Sequence, residues 1–411
     1  MATNAENYEK VREALKGRPG VKIILVDSAG EGRRRADNVI TYDEVCSAGG
    51  GGQLPSPAEG DSMFLLPFSS GTTGRPKGVM LSHNNYVANI LQLIPYNLSV
   101  GVTSTVLIFP MYHAGGMKVW LECLYHGVKV VTLPNFQPDS YLNSLLAHRP
   151  EQLMLPPPLV QFLAKSDKAH KDHLKGIEMI VVGAAPVGLA LIKDFLKKAP
   201  TCQFREVWGM TELSAVGTMT SAEVVHGSCG RVVPNTQIKV VDINSGDNIG
   251  PGSQMTGEIC IRGPQVMMGY FNNQAETDNT LKEGWLHTGD IGYFDNNGNV
   301  YICDRLKELI KVKGYQVAPA ELEDVIRSLP EVTDVAVIGI DDERDGEVPR
   351  AYVVSSSSDL TSSKVEEHVA QSLSAYKHLK GGVAFVKEIP KSAAGKILRK
   401  DLKVQYLQQV C

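Results

Sequence analysis

The chain has 411 residues, which is long enough for two or three domains with an ample apolar core. Its hydrophobic content of 43%, charged content of 21% and formal net charge of -4 are those of a soluble globular protein, and they give no reason to expect nucleic acid or an anionic membrane as a partner. The seven cysteines are scattered singly, without Cys-x-x-Cys or a metal-ligand spacing with the ten histidines, so we expect reduced thiols.

The sequence shows no targeting or membrane segment. Residues 1–16 carry charges throughout and lack the apolar centre of a signal peptide, and the weakly polar stretch at 179–192 is too short to span a bilayer. The final residues, Gln409, Val410 and Cys411, are not a peroxisomal Ser-Lys-Leu address. We therefore expect a cytoplasmic protein with no integral membrane segment, and the sequence leaves its oligomeric state open.

Predicted strands and helices alternate through the first part of the chain. Residues 43–62, rich in glycine and proline, indicate a loop, residues 63–67 a buried strand, and residues 79–81 a further apolar segment before a helical pattern. Further buried strands are predicted at 105–109, 129–133, 152–155 and 179–182, with helical segments such as 142–147 and 189–196 between them. This alternation predicts α/β layers with a largely parallel sheet.

The pattern changes after residue 237. Short strands with Asn, Gly and Asp turns predict a small β subdomain, and a charged stretch at 304–308 separates it from a compact tail. The predicted elements of this second part are strands at 238–241, 257–261, 300–303, 335–340, 350–354 and 383–389, and helices over 322–329 and 364–373. We place a domain boundary near Asp304.

The most informative segment is a loop at residues 69–78. It reads Ser69, Ser70, Gly71, Thr72, Thr73, Gly74, Arg75, Pro76, Lys77, Gly78. Glycines, hydroxyls and cations together supply the backbone N–H groups, side-chain donors and positive charge that a polyphosphate needs. Lys77 is followed by Gly78 rather than Ser or Thr, which argues against a Walker A loop. The alternative is an ordinary surface turn, but the order of strand, loop, apolar segment and helix favours a phosphate-binding loop.

Two further strings follow predicted strands. The first, Gly183, Ala184, Ala185 and Pro186, would let a flat ring lie against the backbone; the alternative is a strand-to-helix turn with proline near the helix start. The second comprises Trp208, Gly209, Met210, Thr211 and Glu212. Its aromatic face, hydroxyl and carboxylate could stack a base, bind a phosphate and hold Mg²⁺. Taken alone, it also fits a buried tryptophan beside a surface glutamate.

Three single residues complete the candidates. Asp290 follows Thr288 and Gly289 in a glycine turn that suits a ribose diol, although most such turns are structural. His113 stands after a strand and before glycines, which suits a pocket wall or a purely structural histidine. Lys396 lies on a second glycine-flanked basic loop, where an exposed lysine would ordinarily serve solubility.

The order and spacing of these motifs resemble the adenylate-forming acid:CoA ligase superfamily, which includes 4-coumarate:CoA ligases, acyl-CoA synthetases and beetle luciferases. The most specific part is the string DRLKELIKVKGYQVAPAELE at 304–323. The resemblance implies a large N-terminal AMP-binding domain of layered α/β sheets with a small β subdomain, residues 1–303. It also implies a small mobile α+β C-terminal domain, residues 304–411, with a hinge near 304–307.

The resemblance also implies a two-step reaction. ATP and a carboxylic acid, either an aryl acid or a medium- or long-chain acyl acid, give an acyl-adenylate and pyrophosphate, and coenzyme A then takes the acyl group and releases AMP. ATP, Mg²⁺ and coenzyme A are the implied cofactor and co-substrates, and the acid is a small-molecule partner.

Residue roles are carried over motif by motif. Residues 69–77 would hold the β- and γ-phosphates of ATP, and Thr211 would hold the α-phosphate. The adenine would lie against 183–186 and Trp208, and the ribose would bind to Asp290 and Arg305. Glu212 would bind the Mg²⁺ ion. His113 would border the acyl site. Lys396 would contact the substrate carboxylate and the α-phosphate. Lys307 would be the pivot of a domain rotation that brings Lys311, Lys313 and Gly314 to the site for thioester formation.

The chain departs from the family pattern at its start. Family members have on the order of 180 residues before the phosphate loop, whereas this chain has 68, so the resemblance implies an N-terminal truncation. A lesser departure is Trp208 where tyrosine is common. Two alternatives therefore stay open beside the ligase: a luciferase-like adenylating oxygenase, and a truncated form that binds nucleotide with weak or no catalysis.

Overall fold

The computed structural model of this protein describes residues 2–18, 20–27, 38–50, 56–69, 76–96, 98–99, 101–183, 187–221, 225, 227–253, 255–391 and 395–410. The chain forms two compact units, Met1–Ala58 and Glu59–Cys411.

The first unit contains a three-stranded parallel sheet. Its elements are β1 (Ala2–Thr3), α1 (Tyr8–Ala14), β2 (Ile23–Leu25), β3 (Val39–Thr41) and α2 (Tyr42–Ser47). The prediction of a loop over 43–62 was wrong for residues 43–47, because these residues belong to α2. A capping box causes this: Thr41 accepts a hydrogen bond from the backbone of Glu44, whose carboxylate accepts one in return.

The second unit alternates strands and helices and then becomes strand-rich. Its strands are β4 (Met63–Leu65), β5 (Phe68–Ser69), β6 (Lys77–Ser82), β7 (Ser104–Leu107), β8 (Lys129–Thr132), β9 (Gln152–Leu155), β10 (Met179–Val182), β11 (Gln203–Trp208), β12 (Thr218–Met219), β13 (Arg231–Val232), β14 (Gln237–Val241), β15 (Asn248–Ile249), β16 (Gly257–Arg262), β17 (Gly269–Tyr270), β18 (Leu281–Lys282), β19 (Trp285–Phe294), β20 (Val300–Arg305), β21 (Ile310–Val312), β22 (Tyr315–Val317), β23 (Val332–Asp342), β24 (Gly346–Ser355) and β25 (Val383–Phe385). Its helices are α3 (His83–Leu91), α4 (Ala114–His126), α5 (Pro138–His148), α6 (Pro157–Lys165), α7 (Lys171–Leu174), α8 (Leu189–Lys198), α9 (Gln274–Thr280), α10 (Pro319–Arg327), α11 (Ser362–Ser372) and α12 (Arg399–Val410).

A seven-stranded sheet forms the centre of the second unit. Its order is β13-β12-β11-β10-β9-β7-β8, and the five strands from β11 to β8 run parallel. Apolar residues of its strands and of α5, α6 and α8 form the largest buried cluster, in which Leu145, Leu153, Ile180 and Phe195 are fully buried. The predicted α/β layers with a largely parallel sheet are thus confirmed, because continuous apolar runs become strands covered on both faces.

Three further sheets surround the site described below. One is an antiparallel sheet in the part of the chain where the sequence predicts short strands. Its order is β15-β14-β16-β19-β18, with β20 paired to β19. A small sheet pairs β6 with β4, β5 and β17, and the last sheet, β22-β21-β24-β23 with β25 on β24, packs against α10, α11 and α12. This last part is the predicted α+β region.

The structure corrects details of the sequence reading. The strand predicted as buried at 63–67 spans only β4, and its Met63 and Phe64 are 46% and 36% exposed, because β4 lies at the end of its sheet. The strand predicted at 383–389 is limited to β25. The glycine turn predicted around Asp290 is a bulge within β19, whose register against β16 shifts between Glu258 and Cys260.

None of the described helices is both long and apolar enough to cross a membrane.

Candidate active site

A large cavity of about 1360 Å³ lies within the second unit and is lined by residues from four of its sheets. The predicted site residues that line it are Ser69, Lys77, His113, Gly183, Gly209, Met210, Thr211, Glu212, Arg305, Lys307, Lys311 and Lys396. Those that do not line it are Trp208, Asp290, Lys313 and Gly314. Ser70, Gly71, Thr72, Thr73, Gly74, Ala184, Ala185 and Pro186 lie outside the described residues. The fold therefore gathers motifs that are spread over more than three hundred residues of sequence, from Ser69 to Lys396.

The lysine of the predicted phosphate loop points to the cavity and is already paired with a carboxylate. Lys77 begins β6 and stands opposite Ser69 of β5. Its ammonium forms an ion pair with Glu276 of α9 and lies 4.9 Å from the centre of the Tyr270 ring. Lys77 is 9% exposed and Glu276 29%, so the two charges interact with limited solvent screening. An incoming phosphate would have to compete with Glu276 for this ammonium.

A carboxylate suited to a hard cation lies nearby. Thr211 and Glu212 occupy a 3-10 turn, Thr211–Leu213, shortly after β11. Glu212 is buried, and its Oε1 accepts a hydrogen bond of 2.9 Å from the Tyr270 hydroxyl. Burial and the adjacent Glu212 raise the pKa of Tyr270, so this hydroxyl stays protonated and donates. The fixed carboxylate fits Mg²⁺, which binds proteins through one or two carboxylates together with phosphate oxygens.

Two glycines keep the backbone beside the cavity free of side chains. A Cβ at Gly209 would lie 1.8 Å from the carbonyl oxygen of Ala215, and one at Gly183 would lie 2.8 Å from Cγ2 of Val207. Both separations are far below van der Waals contact. Packing within the protein therefore requires glycine at both positions, and the predicted contact of Gly183 with a flat ring stays a prediction.

Asp290 and Trp208 are joined behind the cavity wall. The Nε1–H of Trp208 donates a 2.8 Å hydrogen bond to Oδ2 of Asp290, and Nε of Arg305 lies 2.8 Å from Oδ1. The Arg305 contact lacks hydrogen-bond geometry, so Oδ1 accepts no hydrogen bond from the described residues. Burial raises the pKa of Asp290, while Arg305 and Trp208 act in the opposite direction. One oxygen of the buried carboxylate thus accepts a hydrogen bond from Trp208, and the other contacts only the charge of Arg305.

Lys396 lies at the cavity in this structure. A Cβ on its neighbour Gly395, where φ is +80°, would lie 3.1 Å from the Pro158 ring, which places Gly395 against the start of α6. Burial, followed by the charge of Arg305, lowers the pKa of Lys396. Burial, followed by Lys396 and then Arg305, lowers the pKa of Lys307 to about 8. Three cationic side chains therefore converge on one side of the cavity, as the binding of an anion requires.

Arg399 anchors the segment that follows Lys396. Its guanidinium lies 2.9 Å from Glu308 and 2.6 Å from Glu323, and its Nε–H donates to the Val337 carbonyl at 3.1 Å. These contacts fix the start of α12. The sequence reading missed Arg399 and α12, since neither carries a motif.

The hairpin β21–β22 places Lys311 in the cavity lining, whereas Lys313 and Gly314 lie outside that lining. Lys313 and Gly314 form the hairpin turn, both with positive φ, at +51° and +83°. The Lys313 ammonium lies 3.1 Å from Asp345. Lys311 and Lys396 line the same cavity, whereas Lys313 and Gly314 do not line it.

His113 lies at the start of α4. Its Nδ1 accepts a hydrogen bond of 3.1 Å from the backbone N–H of Gly115 and so caps the helix. Its ring faces Phe109 at 6.3 Å between centroids. Burial lowers the pKa of His113, which favours the neutral ring. The cap gives His113 a structural role in addition to its place on the cavity wall.

Two polar clusters on the cavity wall have no signal in the sequence. Lys118 and Glu122 form a buried ion pair on α4, and Lys118 lines the cavity. On the antiparallel sheet, Nδ1 of His287 lies 2.7 Å from Glu258 and 3.5 Å from Sγ of Cys260. Burial and Glu258 raise the pKa of that thiol to about 12. The pairing of β16 with β19 creates the second cluster, which the linear spacing of cysteine and histidine does not reveal.

Two family models match the chain. That of the AMP-binding enzyme matches residues 2–271, and that of the AMP-binding enzyme C-terminal domain matches residues 321–396. Among similar proteins, 4-coumarate--CoA ligase 3 of Oryza sativa subsp. japonica is 38% identical over 98% of this chain and 74% of its own length. 4-coumarate--CoA ligase 2 of Solanum tuberosum is 39% identical over 94% of this chain and 71% of its own length.

Solved structures of similar proteins share the fold. ATP-bound MatB from Rhodopseudomonas palustris superposes with a TM-score of 0.86 at 25% identity, covering 98% of this chain and 82% of that one. O-succinylbenzoate coenzyme A synthetase from Bacillus subtilis, in complex with ATP and magnesium ion, gives 0.79 at 26% identity, covering 97% and 82%. The chain spans about three quarters of the length of the curated relatives it matches, 71–76% across those compared.

Proposed function

Because this chain belongs to the AMP-binding enzyme family, we propose that it is an AMP-forming acid:CoA ligase that activates a carboxylic acid with ATP and transfers the acyl group to coenzyme A. In the first step a carboxylate oxygen attacks the α-phosphorus of ATP, the bond to the β-phosphate oxygen breaks, and pyrophosphate leaves. In the second step the sulfur of coenzyme A attacks the acyl carbon, the thiol proton is lost, and AMP leaves. The convergence of Lys77, Glu212, Arg305 and Lys396 on one cavity carries this proposal.

The charged side chains match the charges of the first step. Lys77 and Ser69 would hold the β- and γ-phosphates, and Thr211 would hold the α-phosphate. Mg²⁺, when bound, would neutralise phosphate oxygens, and Glu212 would hold it through a carboxylate that Tyr270 orients. Asp290 and Arg305 would bind the ribose hydroxyls, with 183–186 and Trp208 beside the adenine.

Lys396 would perform the central task of the first step. The acid is already ionised near neutral pH, so the reaction needs no general base. Two anions, the carboxylate and the α-phosphate, must instead approach each other. A cation placed between them lowers this repulsion and positions both groups. Lys396 lines the cavity, and its neighbour Gly395 lies close to the Pro158 ring.

The second step would use the hairpin residues. A rotation about Lys307 would withdraw Lys396 and bring Lys311, with Lys313 and Gly314, into position for coenzyme A. Lys311 already lines the cavity, and the turn Leu306–Glu308 connects β20 to β21. For the acid itself, relatives named for 4-coumarate and o-succinylbenzoate support an aryl acid, with a medium- or long-chain acyl acid as the alternative.

Acid-dependent exchange between ATP and labelled pyrophosphate tests this function. We expect exchange with at least one member of a panel of aryl and fatty acids, followed by thioester formation when coenzyme A is added. Lys396→Ala should abolish exchange, whereas Lys311→Ala should spare exchange and impair thioester formation. Lys400→Ala, an exposed lysine four residues after Lys396, is the matched control and should leave both steps unchanged. A folded protein that shows no exchange with any acid would contradict the proposal.

A further inference from the structure

We propose that Glu258, Cys260 and His287 form a binding site for a zinc ion in the wall of the cavity, with one coordination position open towards the cavity. The three residues lie on the paired strands β16 and β19. None of them has a role in the proposed ligase reaction, so the inference does not depend on that function. The site also uses no residue assigned to Mg²⁺, whose carboxylate is that of Glu212.

The register of the antiparallel sheet brings the three side chains together. Cys260 and His287 stand directly opposite each other in the pairing of β16 with β19. Side chains at directly opposite positions lie on the same face of a sheet. Glu258 is two residues before Cys260 on β16, and residues two apart along a strand also share a face. Cys260 and His287 are 27 residues apart in the sequence, so the cluster exists only in the folded sheet.

The distances between the ligand atoms fit a zinc ion. Sγ of Cys260 lies 3.5 Å from Nδ1 of His287. A sulfur and a nitrogen bound to one tetrahedral Zn²⁺, with bonds of about 2.3 and 2.0 Å, are separated by about this distance. Oε2 of Glu258 lies 2.7 Å from the same nitrogen and would move by roughly half an ångström to admit the ion. Among the described residues, no other group of three His, Cys, Asp or Glu side chains brings its ligand atoms within 4.8 Å of one another.

The ligand types select zinc rather than magnesium. A thiolate and an imidazole are ligands that Zn²⁺ prefers, whereas Mg²⁺ prefers oxygen. Burial and Glu258 raise the pKa of Cys260 to about 12, so the metal-free site holds a thiol. On binding, the ion displaces the thiol proton to solvent, and the neutral imidazole of His287 keeps its one proton on Nε2. The thiolate and the carboxylate then balance the two charges of the ion.

The protein already orients the ligands and leaves the site accessible from the cavity. Oε1 of Glu258 accepts a 3.0 Å hydrogen bond from the backbone N–H of Gly289, while Oε2 contacts His287. Such outer partners fix the orientation of a metal ligand. Glu258 and His287 line the cavity, and their side chains are 16% and 19% exposed. Cys260 is fully buried and does not line the cavity, so an ion would reach it past these two side chains.

Binding of Co²⁺ and Zn²⁺ to the full chain, freed of metal by a chelator and carrying no histidine tag, tests the site. Co²⁺ occupies tetrahedral zinc sites, and a thiolate ligand gives it a charge-transfer band in the near ultraviolet. We expect one equivalent of Co²⁺ to produce this band and one equivalent of Zn²⁺ to abolish it, whereas an excess of Mg²⁺ should leave it unchanged. Absence of binding, or binding without the band, would overturn the inference. No acid, ATP or coenzyme A is present, so such a result would leave the ligase proposal intact.

Substitution of the ligands distinguishes this site from adventitious binding. Cys260→Ser should abolish the cobalt band. His287→Gln and Glu258→Gln should each weaken Zn²⁺ binding, measured by competition with a chromophoric chelator, by more than about a hundredfold, because loss of an outer partner alone costs roughly ten- to a hundredfold. Cys46→Ser is the matched control, since it removes an exposed thiol outside the site and should bind both ions as the unmodified protein does.

Circular dichroism of the metal-free variants shows whether each is folded. Glu258→Gln keeps an acceptor for the Gly289 N–H and removes only the charge, so it provides the test if Cys260→Ser does not fold. Undiminished zinc binding in a folded ligand variant, or loss of binding in Cys46→Ser, would mean an adventitious ion only and would overturn the inference.

Discussion

Trp208→Phe should destabilise the protein in a pH-dependent manner. The substitution keeps an aromatic ring but removes the Nε1–H that donates to Oδ2 of Asp290 at 2.8 Å. Asp290 is only 2% exposed, so water cannot easily replace the lost donor. Arg305 remains as its ion-pair partner.

The magnitude follows from the charge of the acceptor. A hydrogen bond to a charged group contributes about 1.5–3 kcal/mol, so we expect a loss of about 2 kcal/mol in the free energy of unfolding when Asp290 is ionised. Burial already raises the pKa of Asp290, and Trp208 opposes that shift. Without Trp208 the pKa rises further. The loss should therefore be complete at a pH above the raised pKa and should shrink as the pH falls and Asp290 becomes protonated in both proteins.

Urea unfolding followed by far-ultraviolet circular dichroism at pH 8, 7, 6 and 5 measures this dependence. Trp285→Phe is the matched control, because the Trp285 ring contacts the side chains of Lys239 and Arg262 rather than a buried carboxylate. Its smaller loss should be the same at every pH. A loss in Trp208→Phe that is absent, or that grows as the pH falls, would refute the assignment of Trp208 as the partner of a buried carboxylate.

Two further predictions concern the phosphate side and the backbone of the cavity. Glu276→Gln should lower the KM for ATP in the exchange assay roughly fivefold, because the ammonium of Lys77 loses a competing carboxylate worth about 1 kcal/mol in a partly exposed pair. The control is Glu283→Gln, which lies outside the cavity lining. A raised KM would show that Glu276 instead orients Lys77. Gly209→Ala should cost more than about 2 kcal/mol of stability and abolish exchange, because the new Cβ would lie 1.8 Å from the Ala215 carbonyl oxygen. Gly188→Ala should be tolerated, because no atom of the described residues lies within 4 Å of its Cβ position. Equal melting temperatures for the two variants would contradict this prediction.

The parts of the fold set by local pattern were predictable. The strands at 152–155 and 179–182 have the predicted bounds, because a short run of apolar residues can be buried on both faces only in a central strand. Thr211 and Glu212 follow β11, and Gly183 follows β10; residues that follow adjacent parallel strands meet at the same edge of the sheet. Order along the chain was therefore enough to anticipate their convergence.

The sequence does not show contacts between elements that lie far apart in the chain. Glu276 was not predicted, and Trp208 and Asp290 were predicted separately but not as partners. Glu276 reaches Lys77 across 199 residues, and Trp208 reaches Asp290 across 82. Lys118 and Glu122 are four residues apart on a helix, a spacing that usually marks an exposed pair. Only the packing of α4 against the rest of the unit buries them. Side-chain spacing carries no information about such packing, so spacing alone could not place Lys118 on the cavity wall.

The charges of the cavity show a common arrangement that bears on its function. Lys77 is paired with Glu276, Arg305 with Asp290, and Lys118 with Glu122. A cation in a partly buried cavity would be costly without a partner, and each of these carboxylates supplies one in the absence of a ligand. Binding of an anion then becomes an exchange of partners, in which the gain from the ligand is offset by the loss of the internal pair. Such a cavity discriminates by geometry, because only a ligand that replaces several internal pairs at once recovers their combined energy. A nucleoside triphosphate, whose phosphates and ribose would reach Lys77 and Arg305 at the same time, is a ligand of this kind.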